Sequence, residues 1–282
     1  MSPSGQDNEK QAAEGRDPVS GHVEADVAII GHAASFAPGA SVPWHRHSRG
    51  QLALTLARVM RVETPDKVWL VPRGSVLWLP AETPHRSLAP EQRLMRSLYV
   101  RPDSAESLPT APTAVEQGTP LADMVTWLAE TYDSDRLDKA WSTVAGAALA
   151  LVRPGPGVSI RLPQPADPAL AVIADAVLAD PAVEISLEDW AERFGMAGRT
   201  LRRRVQAETG MSYRDWRRIL GLTVAAERLL AGSRVTDVAF ETGYAGTSAF
   251  VAAFRAAFQV TPGEFQRRAA LRGRPAAGAS GR

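Results

Sequence analysis

The sequence predicts an α+β chain: a β-barrel in front, two connecting helices, and an all-α tandem helix-turn-helix at the C-terminal end. Three observations predict it. Short apolar runs recur between turn signals across residues 23–101. Proline-rich stretches interrupt the chain at 102–118 and 153–168. In the last third one helical unit is written twice, at 187–216 and 235–265, with turn glycines Gly195 and Gly243 standing 48 residues apart.

The front region reads as strands at 51–56, 59–63, 68–71, 75–79 and 94–100, parted by Thr64-Pro65-Asp66, Pro72-Arg73-Gly74 and Pro80-Ala81-Glu82. Many short strands at close spacing point to a sandwich or barrel. Residues 120–132 and 137–152 read as amphipathic helices. Their apolar positions, Leu121, Met124, Val125 and Leu128, then Trp141, Val144, Ala148 and Leu151, serve either packing within the chain or contact with a second copy. The expected organisation is a disordered lead over 1–22, a β domain over 23–101, linker and helices over 102–168, a helical domain over 169–271 and a disordered tail over 272–282.

Charge is unevenly placed. Residues 186–272 hold 14 Lys and Arg against 9 Asp and Glu, whereas 1–185 hold 16 against 22. A basic module joined to an acidic one favours a polyanionic partner for the C-terminal part alone. The chain has no cysteine, which excludes disulfide staples and zinc-thiolate fingers and fits a cytoplasmic protein. No apolar run approaches the length of a membrane span, so no membrane partner is expected.

In each repeat a small residue, Ala191 or Ala239, stands four before the turn glycine. A helix then follows with apolar residues four apart, Leu201 and Val205 or Phe250 and Phe254. A helix, a glycine turn and a second helix with one buried stripe is a helix-turn-helix layout. Ser186, with Asp189 three residues on, is suited to cap the first helix of the first unit. In the second helix of that unit, Arg199, Arg202, Arg203 and Gln206 fall on the face opposite Leu201 and Val205, with Thr200 beside them. Arginine makes bidentate bonds to guanine O6 and N7, and glutamine to adenine, so this face suits major-groove reading of double-stranded DNA. The corresponding helix near 246–257 leaves Thr247, Ser248, Val251, Ala252 and Arg255 outward. Hydroxyls can bond base or phosphate, and the small apolar residues can touch thymine methyls. Residues 212–231 read as one long helix that spaces the two readers.

The double unit, and above all the ending A-F-x-x-A-F-x-x-x-F-x-V-T-P-x-E-F of its second copy, resembles the AraC/XylS family of transcription regulators. The resemblance covers about 170–270 and places base contacts on Arg199, Arg202, Arg203, Thr247, Ser248 and Ala252. Ala197 stands where the family often has a capping serine.

Two stretches of the front region resemble the paired signatures of cupin barrels. One contains Gly39, His45, His47 and Gln51; the other contains Gly74, Pro80 and His85. Metal cupins hold one divalent ion on three histidines and a glutamate. The resemblance puts His45, His47 and His85 in the histidine places and Gln51 in the glutamate place. Three imidazoles and an amide oxygen suit Zn, Fe, Mn or Ni. Glu82 replaces a glycine of the second signature. Trp44, Trp69, Trp78 and Arg46 are candidate lining of the barrel's mouth.

The expected function is sequence-specific DNA binding that regulates transcription under control of a small-molecule effector held in the cupin-type barrel. DNA binding itself needs no cofactor, and a divalent metal in the barrel is the cofactor candidate. The resemblance also implies a homodimer, and RNA polymerase as partner if the protein activates. The alternative is a metal-dependent cupin enzyme with an appended DNA-binding module. No acid, base and nucleophile accompany the histidines in sequence, so an enzyme is not expected.

Overall fold

In a computed structural model of the chain, residues 27–37, 41–56, 59–88 and 93–272 are described. The expected lead over 1–22 and the tail from 273 onward lie outside them, as do Gly39 and the stretches 57–58 and 89–92. The chain divides into two bodies: one runs to Val158, and the other comprises Ser159–Ala269 with Pro65–Val68.

The first body is built on β1 (Ile29–Phe36), β2 (Ser41–His45), β3 (Gly50–Thr55), β4 (Val59–Glu63), β5 (Lys67–Pro72), β6 (Val76–Leu79), β7 (His85–Leu88), β8 (Arg93–Val100), β9 (Thr113–Ala114), and helices α1 (Leu121–Glu130) and α2 (Lys139–Ala150); β10 (Val158–Arg161) follows. Two five-stranded sheets form, in the orders β1-β8-β3-β6-β9 and β10-β5-β4-β7-β2. The expected barrel is therefore a cupin-like sandwich whose sheets are not closed. Ala34, Phe36, Val42, Ala53, Met60, Val62, Trp69, Val71, Leu77, Leu79 and Met95 come from both sheets and form one shared core. Burial between two facing sheets stabilises the pair without hydrogen bonds joining them.

β1, β2 and β7 escaped the sequence reading. Their alternation is broken by Gly31 and His32, by Pro43, and by Arg86, so no period-two signal stands out. The stretch 102–118, expected as a plain connector, supplies β9, which pairs with β6 through Leu77–Ala114 and Trp78–Thr113.

The other face of the first sheet is covered by α1 and α2. Leu52, Leu54, Val76, Trp78, Leu98 and Val100 meet Leu121, Val125, Leu128, Trp141, Ala145 and Ala148. Strand alternation explains the split: Leu52 and Leu54 face the helices, while Gln51 and Ala53 face the sandwich interior. Asp138 starts α2 by accepting from the Trp141 backbone N–H at 2.7 Å. Of the two uses open to the helices' apolar faces, packing within the chain takes Leu121, Val125, Leu128, Trp141 and Ala148, leaving Met124, Val144 and Leu151 half-buried.

The second body holds α3 (Pro168–Ala179), α4 (Leu187–Arg193), α5 (Gly198–Thr209), α6 (Tyr213–Leu230), α7 (Val235–Glu241), α8 (Thr247–Phe258) and α9 (Pro262–Arg272). Ser186 and Asp189 form a reciprocal capping box at the start of α4. The α6 helix buries Trp216, Leu220 and Leu229. Around α8, Tyr244, Phe250, Phe254, Phe258 and Phe265 make successive ring contacts at 4.4–5.6 Å. Among the described residues no helix is long and apolar enough to cross a membrane.

Candidate nucleic-acid interface and histidine cluster

The two repeats of the second body share their backbone turns. Gly195 and Gly243, after α4 and α7, have φ of 64° and 83°. Gly210 and Gln259, after α5 and α8, have φ of 71° and 60°. In each repeat the inner stripe of the second helix is fully buried: Leu201 and Val205 in α5, Phe250 and Phe254 in α8 are all 0% exposed. Burial of one stripe fixes which residues face outward. On α5 these are Arg199, Arg202, Arg203 and Gln206, all exposed, with Thr200 half-buried at the edge. On α8, Ser248, Ala252 and Arg255 are exposed, Thr247 and Val251 are half-buried, and together with Ala256, Gln259 and Thr261 they line one shallow groove. The structure thus gathers the residues singled out in the sequence onto one outward face per repeat. No side chain caps α5 at Ala197, as the missing serine implied.

Sequence reasoning missed what holds α5 from behind. The Arg204 guanidinium meets Asp167 at 2.9 Å. Glu208 accepts from the backbone N–H groups of Ala166 and Asp167 at 2.8 and 3.1 Å. These partners are about 40 residues away in sequence, beyond any local pattern.

In the first body the sheet places His45 opposite His85 on neighbouring strands β2 and β7, at a register shift in the pairing. His47 follows β2, and its carbonyl accepts from the Glu82 backbone N–H at 2.9 Å. Glu82, standing in a signature glycine place, has φ of 59°. One nitrogen from each of His45, His47 and His85 lies within 4.8 Å of the others. Each Nδ1 is engaged with a backbone carbonyl: His45 with Pro43 at 2.8 Å, His47 with Arg49 at 2.5 Å, and His85 with Thr83 at 2.8 Å. A ring donating Nδ1–H carries its lone pair on Nε2, which is the tautomer a metal ligand needs. Among the described residues, the buried Nε2 of His47 has no hydrogen-bond partner. Burial first, then the charges of His45 and His47, pushes His85 down to about 3, so its imidazole is neutral near pH 7. The donor set fits a divalent cation.

Gln51 joins His45 and His85 in one cavity with Ser87, Tyr99, Met60 and Met95. Its amide N–H₂ donates to Ser97 Oγ at 3.0 Å and Tyr99 Oη at 3.2 Å. Ser97 and Tyr99 carry no motif, and only their alternation on β8 could have pointed them inward. The four residues expected at the barrel's mouth do not line this cavity. Trp78 lies under the helices and donates to the Pro109 carbonyl at 2.7 Å. Trp69 belongs to the sandwich core, Trp44 is 41% exposed beneath Arg86, and Arg46 pairs with Glu82 at the surface. Large aromatics go where they bury most area, which here is sheet and core rather than the polar cavity.

A family model described as an AraC-like ligand binding domain matches residues 27–152, and one described as a helix-turn-helix domain matches residues 190–268. The HTH-type transcriptional regulator NimR of Escherichia coli (strain K12) is 28% identical over 244 residues, covering 86% of this chain and 88% of NimR. The HTH-type transcriptional regulator RipA of Corynebacterium glutamicum is 36% identical over 108 residues, 37% of this chain and 33% of RipA. With these two models matched in this order over most of its length, the chain belongs to the AraC family of DNA-binding transcription regulators, carrying an AraC-like ligand-binding domain ahead of its helix-turn-helix domain.

Proposed function

We propose that α5 and α8 enter successive major grooves of one operator. Arg199, Arg202, Arg203 and Gln206 read base edges, with Thr200 at the groove's rim. Thr247, Ser248 and Arg255 contact base or phosphate, and Val251 and Ala252 pack on thymine methyls. The observation that carries this reading is the repetition. Two helices with matching turns and fully buried inner stripes each leave outward a face of exposed and half-buried residues, on which the ion pair found among the described residues, Arg202 with Glu188, itself lies at the surface. The α6 helix between them sets their spacing, which must be near one turn of duplex, roughly 34 Å, for both to reach the same side. Operator protection by the full chain tests the reading. Arg202→Ala and Arg203→Ala should each cost about 1–3 kcal/mol of specific binding. Unchanged protection in both variants would remove α5 as the reader.

For the first body, the reading is an effector domain whose histidines, with Gln51 beside them, hold a divalent cation, with a small-molecule effector bound in the same β-sandwich body. The orphaned His47 Nε2 supports the cation, since a buried nitrogen without a partner is costly unless something binds it. Effector binding then favours one arrangement of sensor and reader over another. The chain passes from the one to the other after Val158. The protein works in the cytoplasm as a homodimer, and acts on RNA polymerase where it activates. Since the apolar faces of α1 and α2 are largely taken by their own chain, the second copy is met elsewhere.

A further inference from the structure

Three arginines stand on the outward face of α5, and they are not equivalent. Arg199 and Arg203 are exposed and have no ion pair or hydrogen bond among the described residues. Arg202 donates from Nη2 to Glu188 Oε1 at 2.9 Å. Glu188 belongs to the preceding helix α4, fourteen residues earlier. It reaches Arg202 along the start of α5, where residue 198 is glycine: a Cβ at Gly198 would sit 3.5 Å from Glu188 Oε1 and 3.7 Å from its Cγ. Both partners are exposed, at 62% and 64% of their side-chain surface, so the pair adds little to folding stability. What it changes is where a long, flexible side chain points. Among the described residues, one of the guanidinium's five N–H donors is engaged, which leaves the rest for a base edge.

We propose that Glu188 is a positioning residue for base reading: it holds Arg202 extended toward the groove before DNA arrives, so that discrimination at one base pair depends on a side chain of the neighbouring helix. This rests on the reading that α5 enters the major groove. Two physical effects follow. A pre-oriented fork loses less freedom on forming a bidentate contact with guanine. A carboxylate at the same spot repels phosphate, which penalises any duplex on which Arg202 finds no base partner to repay that repulsion.

The test uses the full chain and the tightest-binding duplex it selects from a randomised pool. Affinities for every single-base-pair variant of that duplex are measured with the parent, Glu188→Ala, Glu188→Gln, Arg202→Ala and the Glu188→Ala/Arg202→Ala pair. Arg202→Ala should flatten discrimination at one base pair, by roughly five- to a hundredfold. Glu188→Ala should flatten the same base pair while raising affinity for the mismatched duplexes. Glu188→Gln, which keeps an oxygen acceptor, should retain part of the discrimination. In the Arg202→Ala background, Glu188→Ala should change nothing at that position. If Arg202→Ala flattens a position that Glu188→Ala leaves sharp, the inference is overturned. A uniform loss by Glu188→Ala and Glu188→Gln on every duplex marks a structural role and also overturns it. If Arg202→Ala alters no position at all, the underlying reading of α5 fails first.

Discussion

Arg204 and Asp167 meet at 2.9 Å, and that contact ties the arginine-bearing helix α5 to the chain entering the helical body. One Asp167 carboxylate serves two neighbours. Its Oδ2 takes Arg204, while its Oδ1 accepts from the Ala169 backbone N–H at 2.8 Å and so caps α3. Asp167→Ala should therefore cost about 1 kcal/mol for the cap alone, with the lost ion pair added. Asp167→Asn keeps a capping oxygen and should cost less. Denaturant unfolding followed by tryptophan fluorescence measures both; equal losses would mean the cap is irrelevant.

The shared left-handed turn after α5 and α8 is filled by glycine in the first repeat and by glutamine in the second. A non-glycine residue there costs roughly 1–2 kcal/mol, part of which glycine returns through its greater freedom in the unfolded chain. Gln259→Gly should stabilise the helical body by about 0.5–1 kcal/mol, read as a rise of a few degrees in melting temperature. A lower melting temperature would show that the Gln259 amide, which donates to the Ala256 carbonyl at 3.0 Å, outweighs the backbone strain.

Elemental analysis of the purified protein should find about one divalent ion per chain on the histidine cluster. His47→Ala should abolish it. Gln51→Glu should tighten it, because a carboxylate binds a dication more strongly than an amide, and Ser97 and Tyr99 stand ready to donate to the new oxygens. No stoichiometric metal in the parent, and no thermal shift on adding Zn²⁺, Mn²⁺ or Ni²⁺, would leave the three rings as a polar feature of the cavity.

Gly31 of β1 lies hard against α1. A Cβ there would fall on the Leu128 carbonyl oxygen and come within 2.8 Å of Tyr132 Cβ. A backbone oxygen cannot swing aside as a side chain can, so Gly31→Ala should force α1 off the sheet at a cost of about 1–3 kcal/mol. Thermal unfolding checks it; a loss under 0.5 kcal/mol would mean that α1 rides freely on the sheet.

Much of the reader was legible locally. The four-residue spacing of Leu201 and Val205, and of Phe250 and Phe254, determined which faces turn outward before any coordinates, because a helix has one period and one buried stripe. The capping pair Ser186 and Asp189 was legible for the same reason, since a cap lies within one turn. The sensor was less so. His45, His47 and His85 were visible as spaced residues, yet β2 and β7, which bring them together, were not, since strands with polar or proline positions lack a clean alternation.

By itself the sequence determined the α+β order, the doubled helical unit, its outward faces and the three histidines, all of which depend on residues close together along the chain. Only the tertiary structure decided that the sheets form a sandwich rather than a closed barrel, that the two helices after them cover one sheet, that Ser97 and Tyr99 hold Gln51, and that Glu188 and Asp167 grip two different arginines of one helix. Those pairings join residues 14 to 48 positions apart. They depend on how burial folds one element onto another, and no periodicity within either element records its partner.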